Sequence, residues 1–220
     1  KAIAKQTALY LQTLGWKDHI KQLNKLKSKP ELPLHFFDWK LDFPEVMNPL
    51  LKENGGLNTA VGFDIVIGNP PYVDSENMIK SQPIIREFIN HKFLSAKGNW
   101  DLYIPFHEQA IKILKTNGIK SFITPNKWLS IAYANELRLL YINLLYKICN
   151  CNDIKVFDAG VSPVISFFKK CDTFSFSVDT VNSNFEFNTS CILSSKEIDE
   201  TSLGILLSNY SSILLKIKKI

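Results

Sequence analysis

The residues of this chain best suited to chemistry are Asn69-Pro70-Pro71-Tyr72, which follow the apolar run Phe63-Asp-Ile-Val-Ile-Gly68. Two consecutive prolines fix their backbone dihedrals and remove two N–H donors. The Pro70 carbonyl is then presented with no neighbouring amide to compete for it. Together with the Asn69 side-chain oxygen it makes two fixed acceptors beside an aromatic face, that of Tyr72. Such a pair suits an exocyclic amine whose lone pair is delocalised into a ring. Acceptors that grip both amine hydrogens favour a pyramidal nitrogen and aim its lone pair at an electrophilic methyl. The gain grows only as positive charge develops, which is transition-state stabilisation by fixed dipoles. Tyr72 offers a stacking surface for a base rotated out of a duplex. A plainer reading of the same residues is a proline turn with Asn69 as its Asx-type cap.

Elements that could position this loop read as alternating strands and helices. Phe63–Gly68 has strand length and β-branched Ile65, Val66 and Ile67, which suits the centre of a parallel sheet buried on both faces. Open α/β sheets bind their ligands beyond the carboxyl ends of such strands. Upstream, residues 1–29 read as helical with a break at Gly15, and His35-Phe-Phe-Asp-Trp39 as a short strand. Residues 44–62 read as loop with one helical turn. Downstream, a helix is expected near 82–93, and another from Leu102 to about Thr116, capped by Asp101 and closed by Gly118. Ile119–Thr124 is the next strand, followed by a helix near 134–147. Asp153–Phe157 and Val164–Lys169 read as a strand pair. The β-α-β-α rhythm argues for an open α/β sheet with flanking helices. After about residue 171, Ser, Asn and Thr become frequent and short strands at 173–178 and 185–192 are plausible. This C-terminal extension is either a linker or the entry to a second domain. The expected division is therefore a basic helical segment at 1–29, a catalytic portion at 30–170 and the extension at 171–220.

Composition bounds the function. With 220 residues and 45% hydrophobic content, the chain can build a globular core. No window approaches the eighteen apolar residues of a membrane span. No signal peptide is evident either, so a cytoplasmic location is expected. The chain opens on Lys-Ala-Ile, which fits a segment of something longer. Its net charge of +5 is concentrated, since residues 1–29 hold seven lysines against Asp18. That segment either lies near phosphates or presents a solvated lysine-rich helix face. Cys149, Cys151, Cys171 and Cys191 form no Cys-x-x-Cys pair and the histidines no His-x-x-x-His, so neither metal nor disulfide is expected.

Asn69-Pro-Pro-Tyr72 resembles the fourth motif of amino-methyltransferases, and other segments resemble one branch of them, the type IIG-like restriction–modification enzymes. These are His35-Phe-Phe-Asp-Trp-Lys-Leu-Asp-Phe-Pro-Glu45, Gly62–Tyr72, Asp101-Leu-Tyr103, Gly118–Trp128, Leu137-Arg138-Leu139 and Val156–Val164. The resemblance covers about 35 to 170. It implies a partial Rossmann-like methyltransferase sheet and transfer of methyl from S-adenosylmethionine to adenine N6 in double-stranded DNA. In that family the fourth motif contacts the target amine, which assigns Asn69, Pro70 and Tyr72. A later phenylalanine covers the other face of the base, here Phe157, for which a core aromatic is the alternative. Asp38 falls where the family has an acid near the cofactor's adenine, although a surface carboxylate accounts for it equally. Asn69 and Pro71 would also border the cofactor. Asp101 and Tyr103 either line the site or serve capping and packing. Arg138 reads as a helix-surface residue more readily than as a phosphate contact.

One departure stands out. The family's Gly-rich cofactor loop belongs upstream of the fourth motif, and no Gly-x-Gly after a strand precedes Asn69. The main cofactor loop is thus expected in a missing N-terminal part of the same polypeptide, leaving the isolated fragment inactive. A target-recognition domain is expected downstream. Two other readings stay open. Protein-glutamine N5 methyltransferases use the same four residues on a side-chain amide, and a non-catalytic binding or assembly module could retain them.

Overall fold

A computed structural model describes residues 37–49, 61–154, 156, 162–195 and 203, with Lys17, Ile20, Lys21 and Asn24, which are helical and exposed. The chain divides into two compact units, residues 1–59 and 60–220.

In the first unit, Trp39–Asp42 (α1) and Pro44–Met47 (α2) are single helical turns. The strand expected at His35–Trp39 is therefore not formed at its end, where Asp38 caps α1 instead. The carboxylate of Asp38 accepts the Lys40 N–H at 2.9 Å and the Leu41 N–H at 3.2 Å. Asp is among the strongest N-cap residues, and this local bond outweighs the β preference of the aromatic residues around it. Pro44 at the start of α2 satisfies the one helical position that needs no N–H.

Among the described residues the second unit is built on one six-stranded sheet. Its elements are Phe63–Gly68 (β1), Ser75–Ser81 (α3), Pro83–Lys92 (α4), Tyr103–Ile113 (α5), Leu114–Pro125 (β2), Asn135–Tyr141 (α6), Leu145–Asn150 (β3), Pro163–Lys169 (β4), Ser175–Val181 (β5) and Phe187–Ser194 (β6). The strand order is β1-β2-β4-β3-β5-β6. β1 runs parallel to β2 and β3 parallel to β5, while β4 is antiparallel to both β2 and β3. The two strands after residue 171 are thus hydrogen-bonded into the same sheet, β6 pairing antiparallel with β5. One sheet edge collects the carboxyl ends of β1, β2, β3 and β5, together with the start of β4.

One face of the sheet packs against α5, α6 and the turns between them. Trp100, Tyr103, Ile104, Trp128, Leu129, Leu137, Leu145, Ile148, Val164, Phe168 and Phe176 form this core, all at most 2% exposed. On the opposite face Cys149, Cys151 and Val181 make a smaller cluster with Ile165 and Phe167.

Several expectations are corrected. Among the described residues β1 stands at the end of the strand order, not at the centre, and Ile65 and Ile67 are 60% and 77% exposed. An apolar run reports a surface that seeks cover, whichever residues supply it. α5 ends at Ile113 and Leu114 already belongs to β2, so Gly118 is not a helix cap. A Cβ there would come within 2.8 Å of the Phe63 carbonyl and 2.9 Å of that of Lys115. Gly118 instead permits the close approach of β1 and β2 where their register shifts, next to Asn117 at φ 65°. The helix expected at 134–147 is short and β3 begins at Leu145. Leu137, Tyr141, Leu144, Leu145 and Ile148 keep a helical spacing, so periodicity alone cannot see the change. The strand pair placed at 153–157 and 164–169 is formed by β3 and β4 instead. α3 was not foreseen; Asp74 caps it through the Asn77 N–H at 2.8 Å, and Pro83 starts α4 directly after it.

Candidate active site

β1 delivers Asn69-Pro70-Pro71-Tyr72 to the carboxyl edge of the sheet. Gly68, the last strand residue, lies flat against the Phe122 ring, which a Cβ would meet at 3.0 Å. Pro70 is buried and acts as the anchor of the loop, while Asn69 and Pro71 are exposed. Among the described residues, neither the Asn69 side chain nor the Pro70 carbonyl has a hydrogen-bond partner. Two acceptors therefore remain available at the end of a strand. No Asx-type cap is formed by Asn69 among these residues.

Tyr72 is held at both ends. Its hydroxyl donates to the Ile123 carbonyl on β2 at 3.1 Å. Its ring meets that of Tyr103 edge to face, with centroids 6.2 Å apart and planes at 81°. The side of the ring away from these contacts leaves the residue 36% exposed. Partial burial pushes its phenol up to about 12, so the hydroxyl stays a neutral donor at physiological pH.

Tyr103 opens α5 and is fully buried. Its hydroxyl lies 3.3 Å from that of Tyr133, which donates to the Asp101 carboxylate at 2.5 Å. Burial raises both phenols. Asp101 is therefore not the side-chain cap of α5, a position held by Leu102 without a side-chain bond. Burial raises the Asp101 carboxyl, opposed by the Tyr133 hydroxyl, the Lys127 charge and a backbone N–H from Ser75, and assisted by Asp74. A backbone bond from the Leu102 N–H to the Val73 carbonyl, 2.8 Å, ties this loop to the exit of the motif. Tyr133 carried no signal in the sequence: it lies 32 positions from Asp101, in a turn between two elements.

Beneath Tyr103 lies a buried polar group. His107 Nδ1 and Lys120 Nζ are 2.6 Å apart, both residues 0% exposed. The Lys120 ammonium position also sits 4.0 Å from the Phe168 ring centre and 3.4 Å from Ser166 Oγ. Burial, with Lys120 beside it, lowers His107; burial lowers Lys120 well below the usual amine range.

The remaining expectations resolve unevenly. Arg138 is neither a surface residue nor a phosphate contact. It is 2% exposed and donates to the Trp128 and Ile131 carbonyls at 2.6 and 3.0 Å, holding the turn after β2. Phe157 lies outside the described residues. The flanks of its segment are described, and both stand at the site edge: Asn150 ends β3 opposite Val164, and the Cys151 N–H donates to the Pro163 carbonyl at 3.2 Å. Asp38 belongs to the other compact unit, its carboxylate engaged by α1. The described residues contain no group of three side chains able to hold a metal ion. No described helix is long and apolar enough to cross a membrane.

Residues 2–157 match the model of a family described as Eco57I restriction-modification methylase. The type II restriction enzyme and methyltransferase RM.Eco57I of Escherichia coli is 34% identical over 76 residues, 34% of this chain and 8% of that protein. The type II methyltransferase M.XhoI of Xanthomonas vasicola is 37% identical over 78 residues, 36% of this chain and 14% of that protein. The chain thus spans under a fifth of the length of these relatives. Among solved structures, the type IIG restriction endonuclease BpuSI is 19% identical with a TM-score of 0.42, over 53% of this chain and 15% of that one. The sheet is a partial Rossmann-like α/β sheet, and by the match over residues 2–157 the chain belongs to the Eco57I restriction-modification methylase family.

Proposed function

We propose that this chain is the target-amine portion of an S-adenosylmethionine-dependent DNA adenine-N6 methyltransferase from a restriction–modification system. The observation that carries the reading is the Asn69-Pro-Pro-Tyr72 loop at the carboxyl edge, with two unengaged acceptors and a ring pinned beside them. Asn69 and the Pro70 carbonyl would accept the two hydrogens of the adenine amine. The Pro70 carbonyl dipole is fixed by burial and proline geometry, so little reorganisation of it accompanies the build-up of charge on nitrogen. Tyr72 would stack on one face of the flipped adenine. Phe157 is assigned to the other face, in keeping with the position of its flanking strands.

The cofactor supplies an activated methyl on sulfur, an excellent leaving group, so no strong base is needed at the transfer step. The residues present fit only part of it. Asn69 and Pro71 are exposed at the end of β1, where its methyl-bearing end would lie. A donor set for its ribose and amino-acid end is not assembled among the described residues. Ile65 and Ile67, exposed on the outermost strand, fit a sheet completed by a further part of the same polypeptide, which would bring the main cofactor loop. Residues 30–170 then form the catalytic portion and 171–195 extend its sheet. Double-stranded DNA is the partner, recognised by a downstream domain, and the setting is cytoplasmic.

The test is methyl transfer by the protein expressed from its complete gene, offered unmodified duplex DNA and, separately, a glutamine-containing release-factor peptide. N6-methyladenine in the DNA is the expected product. Labelled peptide with unlabelled DNA would transfer the assignment to glutamine methylation, and label in neither would favour a binding module.

A further inference from the structure

The site as described depends on where the Tyr72 ring stands, and two residues outside the motif are bonded to its surroundings. Asp101 sits in the loop ahead of α5, and Tyr133 in the turn ahead of α6. The Tyr133 hydroxyl donates to Asp101 Oδ2 at 2.5 Å and lies 3.3 Å from the Tyr103 hydroxyl. The next residue after Asp101, Leu102, donates its N–H to Val73. The motif's exit is therefore held at Val73 by a backbone bond from the residue next to Asp101. The Tyr72 ring meanwhile rests on Tyr103, whose hydroxyl is fixed by Tyr133.

We propose that Asp101 and Tyr133 are positioning residues for methyl transfer, a hydrogen-bonded clamp that fixes the exit of the Asn69–Tyr72 loop and, through Tyr103, the plane of the Tyr72 ring. This rests on the reading of the loop as the target-amine site. The clamp needs the carboxylate form, because an ionised carboxylate offers all its lone pairs to the Tyr133 hydroxyl while a protonated one surrenders part of that capacity. The charged and titratable groups facing Asp101 are Tyr133, Lys127, Asp74 and Tyr103. Burial raises the carboxyl and the Tyr133 hydroxyl pulls it back down, so losing that hydroxyl must raise it further. The clamp then fails at a higher pH.

The experiment uses the protein expressed from its complete gene, with Tyr133→Phe and Asp101→Asn, and measures methyl transfer to duplex DNA between about pH 5 and pH 9. Each substitution is expected to lower kcat about 10-fold or more while changing KM for the cofactor little, as small misplacements of a reacting group do. In Tyr133→Phe the acidic limb of kcat moves to higher pH; in Asp101→Asn that limb disappears. A Tyr133→Phe enzyme with unchanged kcat and an unmoved limb overturns the clamp and leaves the proposed function standing. A wild-type protein that transfers no methyl to DNA defeats the proposed function alone. The clamp is then judged by carboxyl-carbon NMR titration of Asp101 in wild type and Tyr133→Phe: a higher value in the variant supports it, and equal values overturn it.

Discussion

Removing only the Tyr72 hydroxyl separates what the ring does from what anchors it. In Tyr72→Phe the bond to the Ile123 carbonyl, 3.1 Å long, is lost while the edge contact with Tyr103 at 6.2 Å can remain. A neutral, partly solvated hydrogen bond of this kind contributes about 0.5–1 kcal/mol, so kcat/KM should fall roughly 2- to 5-fold. Tyr72→Ala also removes the stacking surface, worth about 1–3 kcal/mol per base, which corresponds to about 5- to 150-fold in addition. The assay is initial-rate transfer of labelled methyl to duplex DNA, with both variants beside wild type. Their ratio matters more than either value alone. A Phe variant as damaged as the Ala variant would mean that the hydroxyl takes part in the reaction. An Ala variant with wild-type kcat/KM would mean that no base stacks there, and the reasoning from ring to adenine would fail.

Other substitutions probe independent parts of the argument. Asn69→Ala removes one of two acceptors and should lower kcat about 100-fold or more, with DNA affinity little changed because phosphate contacts dominate it; a gel-shift beside the rate assay checks both halves. Residues 1–220 alone should bind S-adenosylmethionine weakly or not at all, and calorimetry giving a micromolar affinity would misplace the cofactor site. Lys120 folds as a buried amine depressed below its usual 10.5, so the unfolded chain binds the extra proton and stability rises with pH from the depressed folded value up to 10.5. Lys120→Met should therefore raise the melting temperature near neutrality and flatten its rise toward alkaline pH, and a melt series with an unaltered slope would contradict the assignment. His107 acts with the same sign below 6.5, where its unfolded form gains a proton that the folded form resists.

Local signals in the sequence were legible wherever they were also sufficient. The run Phe63–Gly68 is a strand, Pro83–Lys92 is the helix expected near 82–93, and the short strands after residue 171 are found within a few residues of their expected places. Asn69–Tyr72 lies at a strand's carboxyl end because that strand stops where the prolines begin. What could not be read was neighbourhood. Nothing in Ile65 or Ile67 says which strands lie beside them, so a strand fit for the centre was found outermost. Arg138 looked like a surface residue because a charge is usually solvated; it is buried because two backbone carbonyls, Trp128 and Ile131, needed a donor. Gly118 looked like a cap because helix ends favour glycine, yet the constraint comes from Phe63, 55 positions away in a neighbouring strand. The Asp101–Tyr133 bond is of the same kind, a meeting of two loops that no spacing encodes.

The closure between β3 and β4 carries a further consequence. The two ends of the segment from Cys151 to Pro163 are joined by a backbone bond of 3.2 Å and continue into paired strands. The entropy of bringing those ends together is thus offset within the sheet, before any ligand arrives. For a loop so closed, each doubling of length adds only about 0.6 kcal/mol. Insertions and deletions between Cys151 and Pro163 should therefore leave the six strands in register. Length at this one place is a nearly neutral variable in stability terms, and so one that can drift among homologous chains without loss of the fold.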